Sequence, residues 1–242
     1  MKVEKSPLKV LEAVHVTKIV SGSDHLAMLS SDGQLWTMGN SEQGQLGRVS
    51  EKFAHRGGRR GLAALLKPDQ VRLNFRSKLG DFTDVWAGSY NTVAQTEGNK
   101  VVVTGLNNYS QMALPVSKGL SFFMPQLSKN LTALSWKQVA VGQHHSISLD
   151  NSGRVFALGR SEYGRLGLGE GPEAEAVVPS VLSSLADCVE VACGTAVSYA
   201  VTREGHCYSW GMGTNGQLGT GDEVRQTLSF GSREGRGRLQ GY

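Results

Sequence analysis

One short pattern recurs four times along the chain, and it restricts the fold more than any other feature. In the copy at residues 139–167, two runs of apolar alternation, Ser146–Leu149 and Arg154–Leu158, flank the tetrapeptide at 150–153. This tetrapeptide is Asp-Asn-Ser-Gly, and its Asp, Asn and Gly tolerate the left-handed backbone of a tight turn, so the segment predicts a β-hairpin. A glycine-rich exit follows the second strand.

The other copies occupy residues 20–47, 85–113 and 191–219, and steps of 66, 54 and 52 residues separate the four leading glycines. A period near 50 that is built from short strands indicates a β-propeller or a β-solenoid rather than a helical array. The second copy departs from the pattern, because Ser110 and Ala113 stand where the other copies have glycine. The leading glycines are Gly22, Gly88, Gly142 and Gly194.

The repeat motifs resemble those of a known family. The motifs are G-x-x-H, D-G-x-[LV]-[YFW]-x-x-G and the closing G-Q-L-G at Gly44–Gly47 and Gly216–Gly219. They are similar to the repeat of the regulator of chromosome condensation family, and the similarity extends over about residues 5–220. The family is a closed propeller of seven blades, so the resemblance implies an all-β fold, here a partial arc of about four blades.

Three segments of the chain follow from the repeats. Residues 1–19 are predicted to supply lead-in strands of a partial blade, residues 20–221 carry the repeats, and residues 222–242 form a divergent tail without order. A basic insertion loop occupies residues 48–61, where five Lys and Arg stand against one Glu. The resulting charge of +4 equals the net charge of the whole chain.

Composition argues against several other classes of protein. The three cysteines follow no metal spacing, and we expect Cys193 and Cys207 to be core thiols in a reducing compartment. The G-x-G-x-x-G string at 211–216 opens no predicted helix, so it does not predict a dinucleotide site. His144-His145 lacks a partner at zinc spacing. We therefore expect no cofactor and no metal, and no apolar run approaches the length of a membrane span.

Positions that change chemistry between copies are candidates for function. The residues two places after the leading glycines should open onto one face, because they are equivalent positions of successive blades, and such a surface suits protein recognition. The alternative is that Asp24 and His144 only cap turns within their own blades. The four equivalent residues are Asp24, Tyr90, His144 and Ala196.

The family resemblance implies more definite roles. It places four residues on the surface that binds the small GTPase Ran: Asp24, Arg48, Asn108 and His144. It implies that the basic loop contacts the acidic histone patch of the nucleosome through Arg56, Arg59 and Arg60, and that Arg76 and Lys78 lie near nucleosomal DNA. The alternative for the basic loop is an ordinary solvated charge cluster. Arginine suits a carboxylate-lined patch because its guanidinium binds in a bidentate manner.

The implied function is that of a guanine-nucleotide exchange factor for Ran, bound to chromatin in the nucleus. Such a factor stabilises nucleotide-free Ran and so promotes GDP release without covalent chemistry. One alternative is a nucleosome- and histone-binding module that lacks exchange activity, and another is a generic propeller scaffold for protein interactions. Because only about four blades are present, we expect weak or undetectable exchange by this chain alone.

Overall fold

Four antiparallel sheets make up the described part of the chain. The computed structural model describes residues 6–54, 65, 67–73, 79–169 and 175–221, together with the backbone of 226–231. Within these residues each sheet has four strands that follow one another in chain order, so that every neighbouring pair is antiparallel. Four hairpin-built sheets at the four repeats confirm the predicted all-β, blade-type fold.

The strands match the repeats closely. The first sheet contains β1 (Val16–Ser21), β2 (His25–Ser30), β3 (Leu35–Gly39) and β4 (Asp69–Gln70), and the second contains β5 (Phe82–Ala87), β6 (Asn91–Thr96), β7 (Val101–Leu106) and β8 (Ser121–Leu127). The third contains β9 (Trp136–Val141), β10 (His145–Asp150), β11 (Val155–Gly159) and β12 (Ala176–Val181), and the fourth contains β13 (Cys188–Cys193), β14 (Val197–Thr202), β15 (Cys207–Gly211) and β16 (Gln226–Gly231).

Helical structure in the described residues is short and lies in the connections. Two single-turn α-helices, α1 (Glu51–Ala54) and α2 (Lys129–Thr132), and two 3-10 helices, Val116–Lys118 and Glu162–Gly164, are present. No helix of the described residues is both long and apolar enough to cross a membrane.

The chain forms two compact units. The first unit holds the first and second sheets, and the second unit holds the third and fourth sheets together with the loop 108–118. In each unit the core lies between the two sheets. In the first, Ala27, Val85 and Ala94 are fully or almost fully buried, and in the second Ile147 and Trp210 are fully buried. Burial of these alternating apolar residues drives the sheets together.

The second copy keeps the backbone of the exit loop without the two exit-loop glycines of the first copy. Ser110 and Ala113 adopt left-handed φ angles of 57° and 53°, whereas Gly44 and Gly47 at the equivalent positions of the first copy have 84° and 64°. A residue with a Cβ carries a cost of about 1 kcal/mol or more in this region. The sequence departure therefore changes the local strain but not the shape of the exit loop.

Two expectations need correction. Residues 226–231, assigned to a tail without order, form β16 and pair with β15, and their polar–apolar alternation is typical of a strand. Cys207 is exposed, because alternate residues of β15 point to opposite faces and Trp210 and Tyr208 take the face toward the core. Cys193 is partly buried, with its Sγ 3.4 Å from the carbonyl oxygen of Ala140.

Candidate protein-binding site

A tight turn between the first two strands of each sheet presents the variable residue of each repeat. We call these the leading turns, residues 22–25, 88–91, 142–145 and 194–197. In each, the glycine N–H donates to the carbonyl oxygen three residues later, at 2.9 to 3.0 Å. The third residue of the turn is the variable one, so the fold fixes its backbone and leaves its side chain free to differ. These third residues are Asp24, Tyr90, His144 and Ala196.

A second glycine ends the third strand of each sheet and packs against the backbone carbonyl group of the variable residue. Gly159 has φ +106°, and a Cβ there would lie 2.5 Å from the carbonyl oxygen of His144. The next residue, Arg160, donates its N–H to the same oxygen at 2.9 Å. Gly39 and Asn40 hold the Asp24 carbonyl in the same way. The strand-ending glycine therefore positions the site residue directly.

Two buried histidines lie behind the leading turns and explain the G-x-x-H motif. A Cβ on Gly22 would lie 2.2 Å from the ring of His25, and a Cβ on Gly142 would lie 2.5 Å from the ring of His145. Only glycine leaves room for the imidazole at these places. The histidine of the motif is thus a packing residue of the scaffold.

Each of these histidines joins two neighbouring sheets through a hydroxyl group. In the first unit, His25 Nε2 lies 3.0 Å from Thr92 Oγ1, and that hydroxyl donates to the carbonyl oxygen of Gln45 at 2.7 Å. The single hydroxyl proton is then used, so Nε2 carries the proton and donates to Thr92. In the second unit, His145 and Ser198 repeat this arrangement at 2.9 Å.

Burial keeps both imidazoles uncharged. Burial lowers the pKa of His25 to about 4, although the backbone of Asn91 and the charge of Asp24 oppose the shift. Burial lowers the pKa of His145 to about 3, and the charge of Arg165 acts in the same direction. These two side chains stabilise the scaffold as neutral groups and are not available to a partner.

Asp24 is exposed, whereas the other candidates in the described part of the chain are only partly so. Its side chain is exposed, and no described residue donates a hydrogen bond to its carboxylate, so within that part of the chain it caps no turn. The neighbouring leading turn lies alongside, since Ser23 donates its N–H to the carbonyl oxygen of Ser89 at 3.2 Å. Asp24 and Tyr90 are therefore carried by adjacent turns of the first unit, and the Asp24 carboxylate is free to contact a basic group.

His144 belongs to a cluster of side chains in the second unit. Its ring meets Tyr109 edge to face, with centroids 5.0 Å apart and planes at 68°. No described residue bonds to its Nδ1, so here too the turn-capping alternative finds no support. Burial lowers the pKa of His144, and the charges of Arg165 and then Arg160 lower it further, against the opposing charge of Glu162.

Asn108 lies in the loop that brings Tyr109 to His144. Its Oδ1 accepts a hydrogen bond from Gln111 Nε2 at 3.1 Å, while Gln111 Oε1 accepts from the N–H of Tyr109 at 2.9 Å. Gln45 and Gln217 make the equivalent backbone contact in their own exit loops. Asn108 and His144 are thus predicted site residues that the second unit brings into one neighbourhood.

The exit loop of the third sheet contains residues that the sequence did not single out. Arg165 replaces the glutamine of the other copies and is 2% exposed, with Nε donating to the carbonyl oxygen of Glu162 at 2.7 Å. Arg160 forms an ion pair with Glu162 and places its guanidinium 4.6 Å from the Tyr109 ring centroid. The sequence marks Arg165 only as an arginine at a position where the other three copies carry glutamine.

Arg48 is engaged with its own sheet. Its Nε donates to Thr37 Oγ1 at 3.1 Å, and its Nη2 donates to the carbonyl oxygens of Thr37 at 3.0 Å and Lys67 at 3.1 Å. Burial lowers its pKa, although the charge of Asp69 opposes this. The guanidinium therefore ties the basic insertion to the first sheet, and direct contact between Arg48 and a partner stays a prediction.

The remaining candidates cannot be placed. Arg56, Arg59, Arg60, Arg76 and Lys78 lie outside the described residues. In the described part of the chain, no group of three or more His, Cys, Asp or Glu side chains could hold a metal ion.

The sequence of the chain is similar to those of known proteins. Residues 1–231 match the sequence profile of the RCC1-like domain. The chain is 48% identical over 230 residues to the human regulator of chromosome condensation, covering 92% of this chain and 53% of that protein. It is 28% identical over 238 residues to the Saccharomyces cerevisiae guanine nucleotide exchange factor SRM1, covering 91% of this chain and 46% of that protein. The chain thus spans about half the length of these relatives.

Two solved structures of a yeast protein share the fold. One shows Kap60 bound to yeast RCC1 (Prp20), with a TM-score of 0.82 at 25% identity, covering 97% of this chain and 53% of that one. Another shows Prp20p from Saccharomyces cerevisiae, studied with its binding to Gsp1p and histones, with a TM-score of 0.80 at 25% identity, covering 97% and 55%.

Proposed function

Because the chain belongs to the family of RCC1-like domains, we propose that it acts as part of a chromatin-bound, nuclear guanine-nucleotide exchange factor for Ran. The observation that carries the proposal is the match over 92% of the chain to a regulator of chromosome condensation. The name of the yeast relative, a guanine nucleotide exchange factor, supports the activity. The study of Prp20p with Gsp1p and histones supports a GTPase and histones as partners.

The proposed activity needs no covalent chemistry. A protein that binds the nucleotide-free GTPase more tightly than the GDP-bound form must weaken GDP binding by the same free energy, because the two equilibria are linked. The leading turns suit this role, since they present different side chains on a backbone that the sheets hold in place. Asp24 offers an exposed carboxylate to a basic group of the GTPase, and His144 offers an imidazole beside the guanidinium of Arg160.

Release of a fluorescent GDP analogue from Ran tests the activity. The chain should accelerate release, but at least about 100-fold less than a full-length relative, since two or three contact clusters at about 1–3 kcal/mol each would be missing. Release at the rate of a full-length relative would show that the proposed surface needs no further blades.

Two matched variants test where the GTPase binds. Asp24→Asn should remove most of the acceleration, because it deletes the exposed charge of the first leading turn. Asp32→Asn makes the same chemical change at the opposite end of β2, where Asp32 is also exposed, and should leave the rate unchanged. Equal rates for the two variants would argue against the leading turns as the contact surface.

A second candidate function is nucleosome and histone binding by the basic insertion. The histones in the Prp20p study favour it, as does the concentration of positive charge at residues 48–61. Under this proposal Arg56, Arg59 and Arg60 contact the acidic histone patch, and Arg76 and Lys78 lie toward the DNA. These contacts are independent of the leading turns, so they could persist in a chain that has little exchange activity.

Replacement of Arg56, Arg59 and Arg60 by Ala tests this second candidate. The triple variant should bind nucleosomes more weakly, and its affinity should depend less on salt, because contacts with phosphate and carboxylate groups are screened by ions. A control variant in which Lys118, Lys129 and Arg203 are replaced by Ala removes the same charge at three exposed, dispersed positions. Equal nucleosome affinity and salt dependence in the two variants would assign the basic insertion to ordinary solvated surface.

A further inference from the structure

Four side chains of the second unit form a continuous stack beside the leading turn at 142–145. The His144 ring meets the Tyr109 ring with centroids 5.0 Å apart. The guanidinium of Arg160 lies 4.6 Å from the centroid of the same tyrosine ring. Glu162 closes the stack through its ion pair with Arg160. Side chains from two other loops therefore meet at the ring of Tyr109.

We propose that Tyr109 and Arg160 are positioning residues for His144, and that they present its imidazole to a protein partner in one orientation. This inference rests on the proposed function, in which His144 faces the GTPase. It assigns roles to two residues that the repeat pattern leaves unmarked.

The backbone makes the stack stiff. Arg160 donates its N–H to the carbonyl oxygen of His144 at 2.9 Å, so the backbone of the positioning arginine is fixed to the residue that it positions. Arg165 anchors the next turn from inside the protein, where its Nε donates to the carbonyl oxygen of Glu162. Cation–π and edge-to-face contacts each favour one ring geometry. His144 is thus restrained at its carbonyl and at its ring.

The edge of the stack is accessible to a partner. The Arg160 and Glu162 side chains are each about one third exposed, at 32% and 33%, while Arg165 is 2% exposed. A partner that approaches His144 would therefore also meet the guanidinium of Arg160. This pairing of an imidazole with a guanidinium suits a partner segment that offers a carboxylate beside a hydrogen-bond donor.

The surrounding charges favour the neutral imidazole. In the described part of the chain, Arg160, Arg165 and Glu162 carry the charges next to the ring, and Tyr109 and the buried neutral His145 are its other titratable neighbours. Burial and the two arginines lower the pKa of His144, and Glu162 raises it. At neutral pH the ring can then both donate and accept a hydrogen bond.

Proton NMR titration of the His144 imidazole in the free chain tests the inference without any partner. Arg160→Gln should raise the His144 pKa, because a neighbouring positive charge that lowers it is lost. Glu162→Gln should lower it, because a neighbouring negative charge is lost. The test depends on pKa changes of opposite sign in the two variants. A general loosening of the loop would instead raise the His144 pKa in both, because it would relieve burial. His144→Gln assigns the signal, and Arg203→Gln, at an exposed arginine, is the control.

The tyrosine variants test orientation. Tyr109→Leu should remove the ring-current shift of the His144 signals and weaken binding of nucleotide-free Ran severalfold, while Tyr109→Phe keeps the ring and should preserve both. Changes of the His144 pKa that have the same sign in Arg160→Gln and Glu162→Gln would overturn the inference. Unchanged His144 chemical shifts in Tyr109→Leu would overturn it as well. If the NMR results hold but no variant alters Ran binding, the positioning role stands and the proposed contact with the GTPase fails.

Discussion

Single residues decide how the variable side chains are held. The strand-ending glycines allow the carbonyl oxygen of the variable residue to approach, as Gly159 does for His144 and Gly39 for Asp24. The leading glycines leave room for a buried imidazole, as Gly22 does for His25. The glycines that define the repeat in the sequence are thus the residues that fix the backbone of the candidate site.

Gly159→Ala should destabilise the chain by at least about 3 kcal/mol, because the new Cβ would combine a left-handed φ with overlap against the backbone of His144. Gly205→Ala is the matched control. Gly205 also has a positive φ of +87°, but nothing lies within 4 Å of a Cβ there, so its cost should be only about 1–2 kcal/mol. Urea denaturation measures both, and equal losses would show that close approach to His144 is unimportant.

The sequence predicted the candidate residues unevenly, for physical reasons. The positions of Asp24 and His144 followed from the repeat, because equivalent residues occupy equivalent turns. The stack of Tyr109 and Arg160 did not, since it joins loops from different repeats and depends on side-chain directions that the chain order does not reveal. Arg165 was visible as a departure from glutamine, but its burial follows only from the packed exit loop.

At the scale of secondary-structure elements, each compact unit is a pair of neighbouring sheets. Each pair buries one apolar core and is linked by a histidine–hydroxyl–carbonyl chain of hydrogen bonds, His25 to Thr92 in the first unit and His145 to Ser198 in the second. The hairpins were predictable from turn residues and alternation. The strand β16 was missed because it lies beyond the last repeat motif, although its short polar–apolar alternation is typical of a strand and it pairs with β15.

These buried histidines should make the fold sensitive to acid. In the unfolded chain they titrate near 6.5, whereas in the folded chain the pKa values are about 4 for His25 and about 3 for His145. The unfolded state therefore binds more protons below pH 6.5, and stability should fall as the pH drops from 6.5 toward 4, by at most about 1.4 kcal/mol per pH unit for each histidine. The dependence should fade as the pH rises past 6.5, because the unfolded histidines are then largely deprotonated as well.

Replacement of both histidines by Asn tests this origin of acid sensitivity, and the second sheet already uses Asn91 at the equivalent position. The double variant His25→Asn, His145→Asn should be less stable at pH 7, but its stability should change less between pH 6.5 and 4. His206→Asn, at an exposed histidine, should keep the acid sensitivity of the original chain. An unchanged slope in the double variant would place the acid-sensitive groups elsewhere.

At the scale of the whole molecule, four four-stranded sheets at the four repeats make up the described fold. The four glycine patterns predicted the four sheets, because tight turns at a fixed period leave few other ways to bury alternating apolar residues. The family match covers residues 1–231, while the chain covers 53% of the human relative.

The affinity of the chain for Ran in two nucleotide states tests the central claim most directly. Titration of the chain into nucleotide-free Ran and into GDP-bound Ran should give tighter binding to the nucleotide-free form, because that difference is the free energy that drives GDP release. Asp24→Asn should reduce the difference, and Asp32→Asn should leave it unchanged. Equal affinity for the two forms of Ran, or binding to neither, would contradict the proposal that this chain carries an exchange-factor surface.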